Sequence, residues 1–420
     1  MLLKLAWNNI VKRPFSSGLS VLLLASSIMI IILAFLTMQQ LESKFNENAN
    51  KIDLVVGAKG SRLQLVLCNV FHVDNPTGNI RMKDVTFLTK HPFVKNAIPI
   101  SLGDNFKSYR IVGTNQNFLQ KLYEAPLKKG KLFEKPYEVV LGFNAANKMD
   151  LKLGDSFYGS HGIDASIHEH QDAKYLVVGL LDYSGEVIDN LILTPLESVW
   201  QVHSEDHQKG SFDLSYEKKH DHDHDHHHDH HKTTVHEEDK EITAFLVNYN
   251  SPRAKFSIPG IVNNKEQLMA AEPPIEIQRL LDLVQPAVKV VTVLAWFIFG
   301  LAFFSMLITM INSMKNRKYE IAMMRASGAT SKLVLISILA EGFLIAFIGG
   351  LLGVFMGHIL LEIMGQYLTN HYHYQFSGLI FNYFELWLLI GTIATGIISA
   401  FIPAIAAYNM DISSTLKKKI

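Results

Sequence analysis

The chain has 420 residues, 48% hydrophobic and 19% charged, which is too apolar for a disordered chain and long enough for two or three domains. Acidic and basic residues balance at 39 each, so no net field draws the chain to nucleic acid. The single cysteine, Cys68, excludes an internal disulfide and a multi-thiolate metal site.

Residues 14–41 carry no charged side chain. A helix crossing a ~30 Å bilayer core needs ~20 apolar residues, so this run is long enough to span. A cleaved signal peptide would have a shorter apolar region, ~7–15 residues, and a small-residue cleavage site. The run ends instead in Gln39-Gln40-Leu41, which favours an uncleaved helix.

From Glu42 to Lys289 there is no further candidate span. The segment opens with a β-like run at 52–56, stopped by Gly57 and Lys59-Gly60-Ser61. An apolar stretch at 63–73 ends in Asn75-Pro76-Thr77-Gly78-Asn79, a strong turn signal. Short β-type runs recur at 109–112, 139–141, 175–178, 191–193 and 242–247, with helical stretches such as 118–123 and 145–149 between them. This pattern predicts an α+β domain with many short strands.

Between Asp213 and Lys240 the composition collapses. His220, His222, His224, His226, His227, His228, His230 and His231 interleave with aspartates, and no apolar side chain falls between Tyr216 and Val235. Such a stretch cannot build a core and reads as a loop inserted in a folded domain. Imidazole with carboxylate suits a borderline divalent metal such as zinc or nickel. The alternative is a solvated linker that binds metal incidentally. A smaller group, His168, Glu169 and His170, is explained equally by polar residues on a loop.

Three more apolar runs follow, at 290–314, 333–361 (interrupted only by Glu341) and 386–410. The expected fold is an α-helical membrane protein with four transmembrane helices, one before and three after a large α+β periplasmic domain. The expected parts are 1–41 (amphipathic start and first span), 42–287 (intervening domain), 288–314 (second span), 315–332 (connecting helix), 333–361 (third span), 362–385 (short connection), 386–410 (fourth span) and 411–420 (tail).

Lys4, Lys12 and Arg13 flank the first span. Lys315, Arg317, Lys318, Arg325 and Lys332 lie between the second and third, and Lys417, Lys418 and Lys419 close the chain. The 362–385 connection has no Lys or Arg. Positive charge marks the cytoplasmic side, so both termini are expected there and the large domain outside, in the bacterial periplasm.

Glu341 is an ionisable group within a span. It reads as a proton relay or, since it stands alone, as a hydrogen bond to a neighbouring helix. Gly349, Gly353 and Gly357, spaced by four, allow close helix approach, within one chain or between chains. The segment 316–330, Asn-Arg-Lys-Tyr-Glu-Ile-Ala-Met-Met-Arg-Ala-Ser-Gly-Ala-Thr, forms a helix up to Ser327, with Gly328 as its stop. Ile321, Met324 and Gly328 share a face, which suits the membrane surface or a groove on a partner. No G-x-x-x-x-G-K-[ST], G-x-S-x-G or H-E-x-x-H pattern is present, so the sequence offers no site for nucleotide or hydrolytic chemistry.

These residues resemble the FtsX/MacB-type permeases of ABC transporters, the mechanotransmission class. Glu320-Ile321, Arg325-Ala326 and Gly328-Ala329 are similar to the family's coupling-helix motif. Glu341 with its glycine ladder resembles the third span, Pro403-Ala404 with Ala407 and Asp411 the C-terminal end, and Leu5-Ala6-Trp7-Asn8-Asn9 with Arg13 the N-terminal start. Val139-Val140-Leu141-Gly142, Leu153-Gly154-Asp155 and Val177-Val178-Gly179 are similar to the MacB-type periplasmic insert, whereas the His/Asp loop is not a family feature.

The resemblance implies a non-catalytic inner-membrane subunit with no cofactor of its own; zinc in the His/Asp loop is an expectation from those residues alone. It implies a cytoplasmic ABC ATPase dimer holding ATP-Mg, and a second permease chain, identical or different. It leaves room for a periplasmic or outer-membrane partner. Arg317, Tyr319, Glu320, Ile321, Met324, Arg325 and Gly328 are expected to dock the ATPase. The leading expectation is work on a lipid, lipoprotein, peptide or similar cargo. Metal handling through the His/Asp loop and signalling to a periplasmic cell-wall hydrolase are the alternatives.

Overall fold

The computed structural model describes residues 2–12, 14–160, 169–209, 240–372 and 376–410. These divide into two units, Met1–Glu42 with Leu283–Ile420, and Ser43–Asp282.

The first unit holds the apolar stretches of helices Pro14–Ala49, Pro273–Asn316, Ser331–Tyr372 and Tyr383–Tyr408, each long and apolar enough to cross a membrane. They are called here the first to fourth spans. Most outrun the charge-free runs, because Glu, Lys and Gln are good helix formers and a charge ends an apolar run without ending a helix. A short helix, Leu2–Val11, precedes them, and another, Lys318–Ala326, joins the second span to the third. Ile28, Ile32 and Leu36 of the first span pack with Leu361 and Leu388, and Leu24 packs with Met306, Met310 and Ile345.

Small residues let the backbones meet. A β-carbon on Gly349 would stand 3.0 Å from Leu24 Cβ, and one on Gly357 3.1 Å from Ile32 Cγ2. The glycine ladder therefore receives the 24–28–32 row of the first span of the same chain. Gly342 and Gly396 face each other in the same way, with Ala400 Cβ 2.5 Å from a β-carbon on Gly342.

The second unit is built on β1 (Leu54–Ala58), β2 (Ile80–Arg81), β3 (Val94–Phe106), β4 (Tyr109–Thr114), β5 (Leu127–Gly130), β6 (Glu138–Leu141), β7 (Ser156–Ser160), β8 (Glu169–Leu181), β9 (Leu191–Pro195), β10 (Glu241–Ile242), β11 (Ala244–Tyr249) and β12 (Leu268–Ala271). Its large mixed sheet runs β12-β1-β11-β3-β4-β9-β6-β8-β5, with β7 pairing β3 and β8. The β4–β9 and β6–β8 pairs are parallel. β2 and β10 form a separate small sheet. One core gathers Leu54, Val56, Phe245 and Val247 with helix Ala254–Asn263. A second gathers Ile111, Val139, Phe157, Tyr175 and Ile192.

Each β-type run expected in this unit has a strand over or beside it, with two adjustments. The 242–247 run divides at Thr243 into β10 and β11, and Glu169 and His170 open β8 instead of lying on a loop. The apolar stretch at 63–73 becomes helix Arg62–Val70, capped by the Ser61 hydroxyl, which accepts from the Gln64 amide at 3.4 Å. β2, β3, β5, β7 and β12 have no counterpart in the sequence reading.

Candidate functional site

The connection between the second and third spans is short and tightly held. The second span ends at Asn316, and helix Lys318–Ala326 stops before Gly328, whose φ of +102° is easy for glycine alone. The Thr330 hydroxyl then accepts from the Leu333 amide at 3.3 Å and starts the third span.

Three ties fasten this helix to the spans. Ile321 is 5% exposed and packs with Val334, Ile338, Ala404 and Ala407 of the third and fourth spans. Arg325 Nη1 donates to the Met410 carbonyl at 2.7 Å. Arg317 Nη1 lies 3.5 Å from Oε2 of Glu341, which is 4% exposed, while Ser313 Oγ of the second span donates to Glu341 Oε1 at 3.4 Å. An unpaired carboxylate inside a span costs on the order of 3 kcal/mol, so the guanidinium and hydroxyl are what hold it there.

Of the residues expected to dock a partner, Tyr319, Glu320 and Gly328 are exposed, and Met324 is half-buried. Ile321 is not available, because its apolar face is spent inside its own chain. Arg317 and Arg325 are committed to Glu341 and Met410, and Arg317 also reaches Glu320 at 3.3 Å. Met323, which the sequence reading passed over, is exposed beside Tyr319 and Glu320.

Residues 292–412 match the FtsX-like permease C-terminal family model, and residues 17–221 match the MacB-like periplasmic core domain model. The chain belongs to the FtsX/MacB-type ABC transporter permeases. Among solved structures, the extracellular domain of the noncanonic ABC-type transporter YknZ from Gram-positive bacteria is similar at 11% identity and a TM-score of 0.30, covering 52% of this chain and 98% of that one. No curated protein matches.

A polar cluster that the sequence reading missed lies at the other end of the permease's spans. His358 Nε2 stands 2.8 Å from Glu385 Oε2, and His358 Nδ1 2.5 Å from the Gly378 carbonyl. The carbonyl can only accept, so the Nδ1 contact is one in which the ring donates. Glu385 also completes a capping box with Asn382 at the start of the fourth span. The available signal was a lone histidine inside the 333–361 apolar run.

In the intervening domain, Cys68 is buried. Its thiol contacts the Asp74 carbonyl at 3.6 Å and Arg110 Nη1 at 3.7 Å. Burial pushes the thiol pKa up to about 11 against the lowering pull of Arg110, so it is a poor nucleophile. Nearby His72 has a backbone φ of +55° and both ring nitrogens sealed from water without a hydrogen-bond partner. Burial first, then Arg110, holds its pKa down to about 3.

His220, His222, His224, His226, His227, His228, His230 and His231 lie outside the described residues, as do His168, Arg13 and Asp411. Among the described residues, no group of three His, Cys, Asp or Glu side chains is arranged to hold a metal ion.

Proposed function

We propose that this permease carries the motion of a separate cytoplasmic ATPase, through helix Lys318–Ala326, to the domain inserted between its first and second spans. The observation that supports it most is the threefold tie. A push on the helix reaches the third and fourth spans through Ile321, the third through Arg317–Glu341, and the end of the fourth through Arg325. A helix held so firmly moves its spans instead of sliding over them.

The charge distribution supports placing this helix and the chain ends in the cytoplasm and the intervening domain in the periplasm of a bacterial inner membrane. In this reading two permease chains sit on an ATPase dimer that binds ATP-Mg. The outward face of Tyr319, Glu320 and Met323 meets the ATPase. The cargo, a lipid, lipoprotein, peptide or similar molecule, is moved on the far side.

The test is a photo-crosslinking residue at Met323 in cells. An adduct with a nucleotide-binding subunit supports the reading. Reaction of a cysteine at Met323 with a membrane-impermeant thiol reagent added outside the cell overturns it.

The alternating His/Asp run favours a second reading, in which residues 220–231 capture zinc for the permease. Removal of 213–240 should abolish zinc binding by the purified chain and lower cellular zinc. Unchanged cellular zinc would reduce the loop to an incidental chelator.

A further inference from the structure

Residues 376–382, which lead into the fourth span, lie back along the third span and not at its end. The third-span helix continues to Tyr372, yet Gly378 lies against His358 and Glu362. At ~1.5 Å per residue, that level is about 20 Å short of the helix end. The return path is marked by glycine. A β-carbon on Gly365 would collide with the Phe376 carbonyl, and one on Gly378 with the His358 carbonyl.

The spans take up the backbone groups of Ser377 and Gly378 and the amide of Asn382. Gln40 of the first span accepts from the Ser377 amide at 2.9 Å and donates to its carbonyl at 2.8 Å. Glu362 accepts from the Gly378 amide at 2.8 Å, His358 holds the Gly378 carbonyl, and Glu385 accepts from the Asn382 amide at 2.9 Å. The side chains do the opposite. Leu379 is 77% and Phe381 72% exposed, and Ile380, Tyr383 and Trp387 also face out. No charged residue falls within 376–384.

A connection bathed in water would have little use for this arrangement, since water satisfies backbone groups and large apolar side chains gain ~1.5–3 kcal/mol each by leaving it. The acyl–headgroup boundary suits both features: the flanking backbone groups at 377, 378 and 382 are held by protein, and the outward side chains of 379–381 are apolar. The anchoring residues also sit at one level. Gln40 closes the first apolar run, His358 is near the end of the third, and Asn382 opens the fourth helix.

We propose that residues 376–383 lie in the lipid at the acyl–headgroup boundary, as a re-entrant loop whose Leu379, Ile380 and Phe381 side chains are solvated by acyl chains, with Tyr383 and Trp387 at the interface. The occupant of this surface is bilayer lipid, continuous with the lipid around the spans. The inference rests on the membrane spans and not on the ATPase coupling, so either can fail alone.

The test uses the full chain in nanodiscs, with Cys68→Ala to clear the native thiol and single cysteines at Leu379 and, separately, at Phe381. Each carries a nitroxide whose collisions with oxygen and with a polar nickel chelate are measured. Phe355, exposed on the third span, is the lipid reference and Met323 the water reference. The expected oxygen-to-nickel ratio at both loop positions is several-fold above that at Met323 and near that at Phe355. A ratio like that of Met323 would put the loop in water. Low collision with both reagents would mean that protein covers it. Either result overturns the proposal, and using two labelled positions keeps the outcome from resting on one variant's folding.

Discussion

A β-carbon placed on Gly353 would stand 2.6 Å from Cβ of Ile28 and 2.8 Å from the carbonyl of Ala25. The third span therefore touches the first backbone to backbone at this level, and the pair belongs to one chain. Real side-chain carbons do not approach so closely, so any larger residue at 353 must drive the two helices apart.

Gly353→Ala is expected to destabilise the membrane unit by about 1–3 kcal/mol, the usual range for overpacking a close contact. Gly391→Ala is the control, since nothing lies within 4 Å of a β-carbon there. Thermal unfolding of both variants in the same detergent checks the difference. Equal midpoints would mean that the ladder is not a close seam.

The Arg317–Glu341 contact at 3.5 Å should appear as a coupling energy. Arg317→Gln and Glu341→Gln are each expected to lower stability. The double variant should fall short of their sum by about 0.5–3 kcal/mol, because the second change removes a charge already unpaired. Strict additivity in chemical unfolding would show that the two groups do not interact.

Glu320 and Arg325 are expected to respond differently to charge reversal. Glu320 is exposed, so Glu320→Lys should leave folding unchanged while cutting transport or ATPase coupling severalfold. Arg325 holds the Met410 carbonyl, so Arg325→Glu should impair both coupling and stability, the latter by about 1–3 kcal/mol. Parallel assays of melting and of ATP turnover with the partner separate the two effects. Full coupling in Glu320→Lys at normal expression would remove Glu320 from the docking face.

His72 is expected to make the intervening domain acid-sensitive. Its folded pKa of about 3 lies below the ordinary 6.5, so the folded domain keeps the ring neutral while the unfolded chain takes up a proton. Nothing is lost above pH 6.5. Below it, stability falls as pH drops toward 3, with a slope of about 1.4 kcal/mol per pH unit from this group. His72→Asn keeps a side chain tolerant of positive φ and should flatten that slope. Urea unfolding followed through Trp200 fluorescence at several pH values measures it, and an unchanged slope would exclude His72 as the sensor.

Local patterns were legible and pairings between distant segments were not. The 109–112 and 191–193 runs read as strands because their β-branched and apolar residues are contiguous. β3 was hidden, because Lys95, Asn96 and the Gly103-Asp104-Asn105 interruption break its alternation. It is a strand because β11 and β4 pair with its two edges, accommodating a register shift between Leu102 and Asn105. Ile321 reads as apolar, and in the structure that face turns inward against Val334, Ile338, Ala404 and Ala407. A hydrophobic face specifies that something must cover it and not what does.

The sequence by itself determined the four spans, their one-plus-three order, the large insert and the stop at Gly328, because run length, charge and glycine act over a few neighbouring residues. Only the tertiary structure decided that the glycine ladder closes on Leu24, Ile28 and Ile32 of the same chain. It alone brought Glu341 to Arg317 and Ser313, turned Ile321 inward, and folded 376–382 back onto Gln40, His358 and Glu362. Each of those outcomes depends on which distant partner satisfies a small surface, a buried charge or a backbone group. That choice is made by packing in three dimensions, where many partners satisfy the same local pattern equally well.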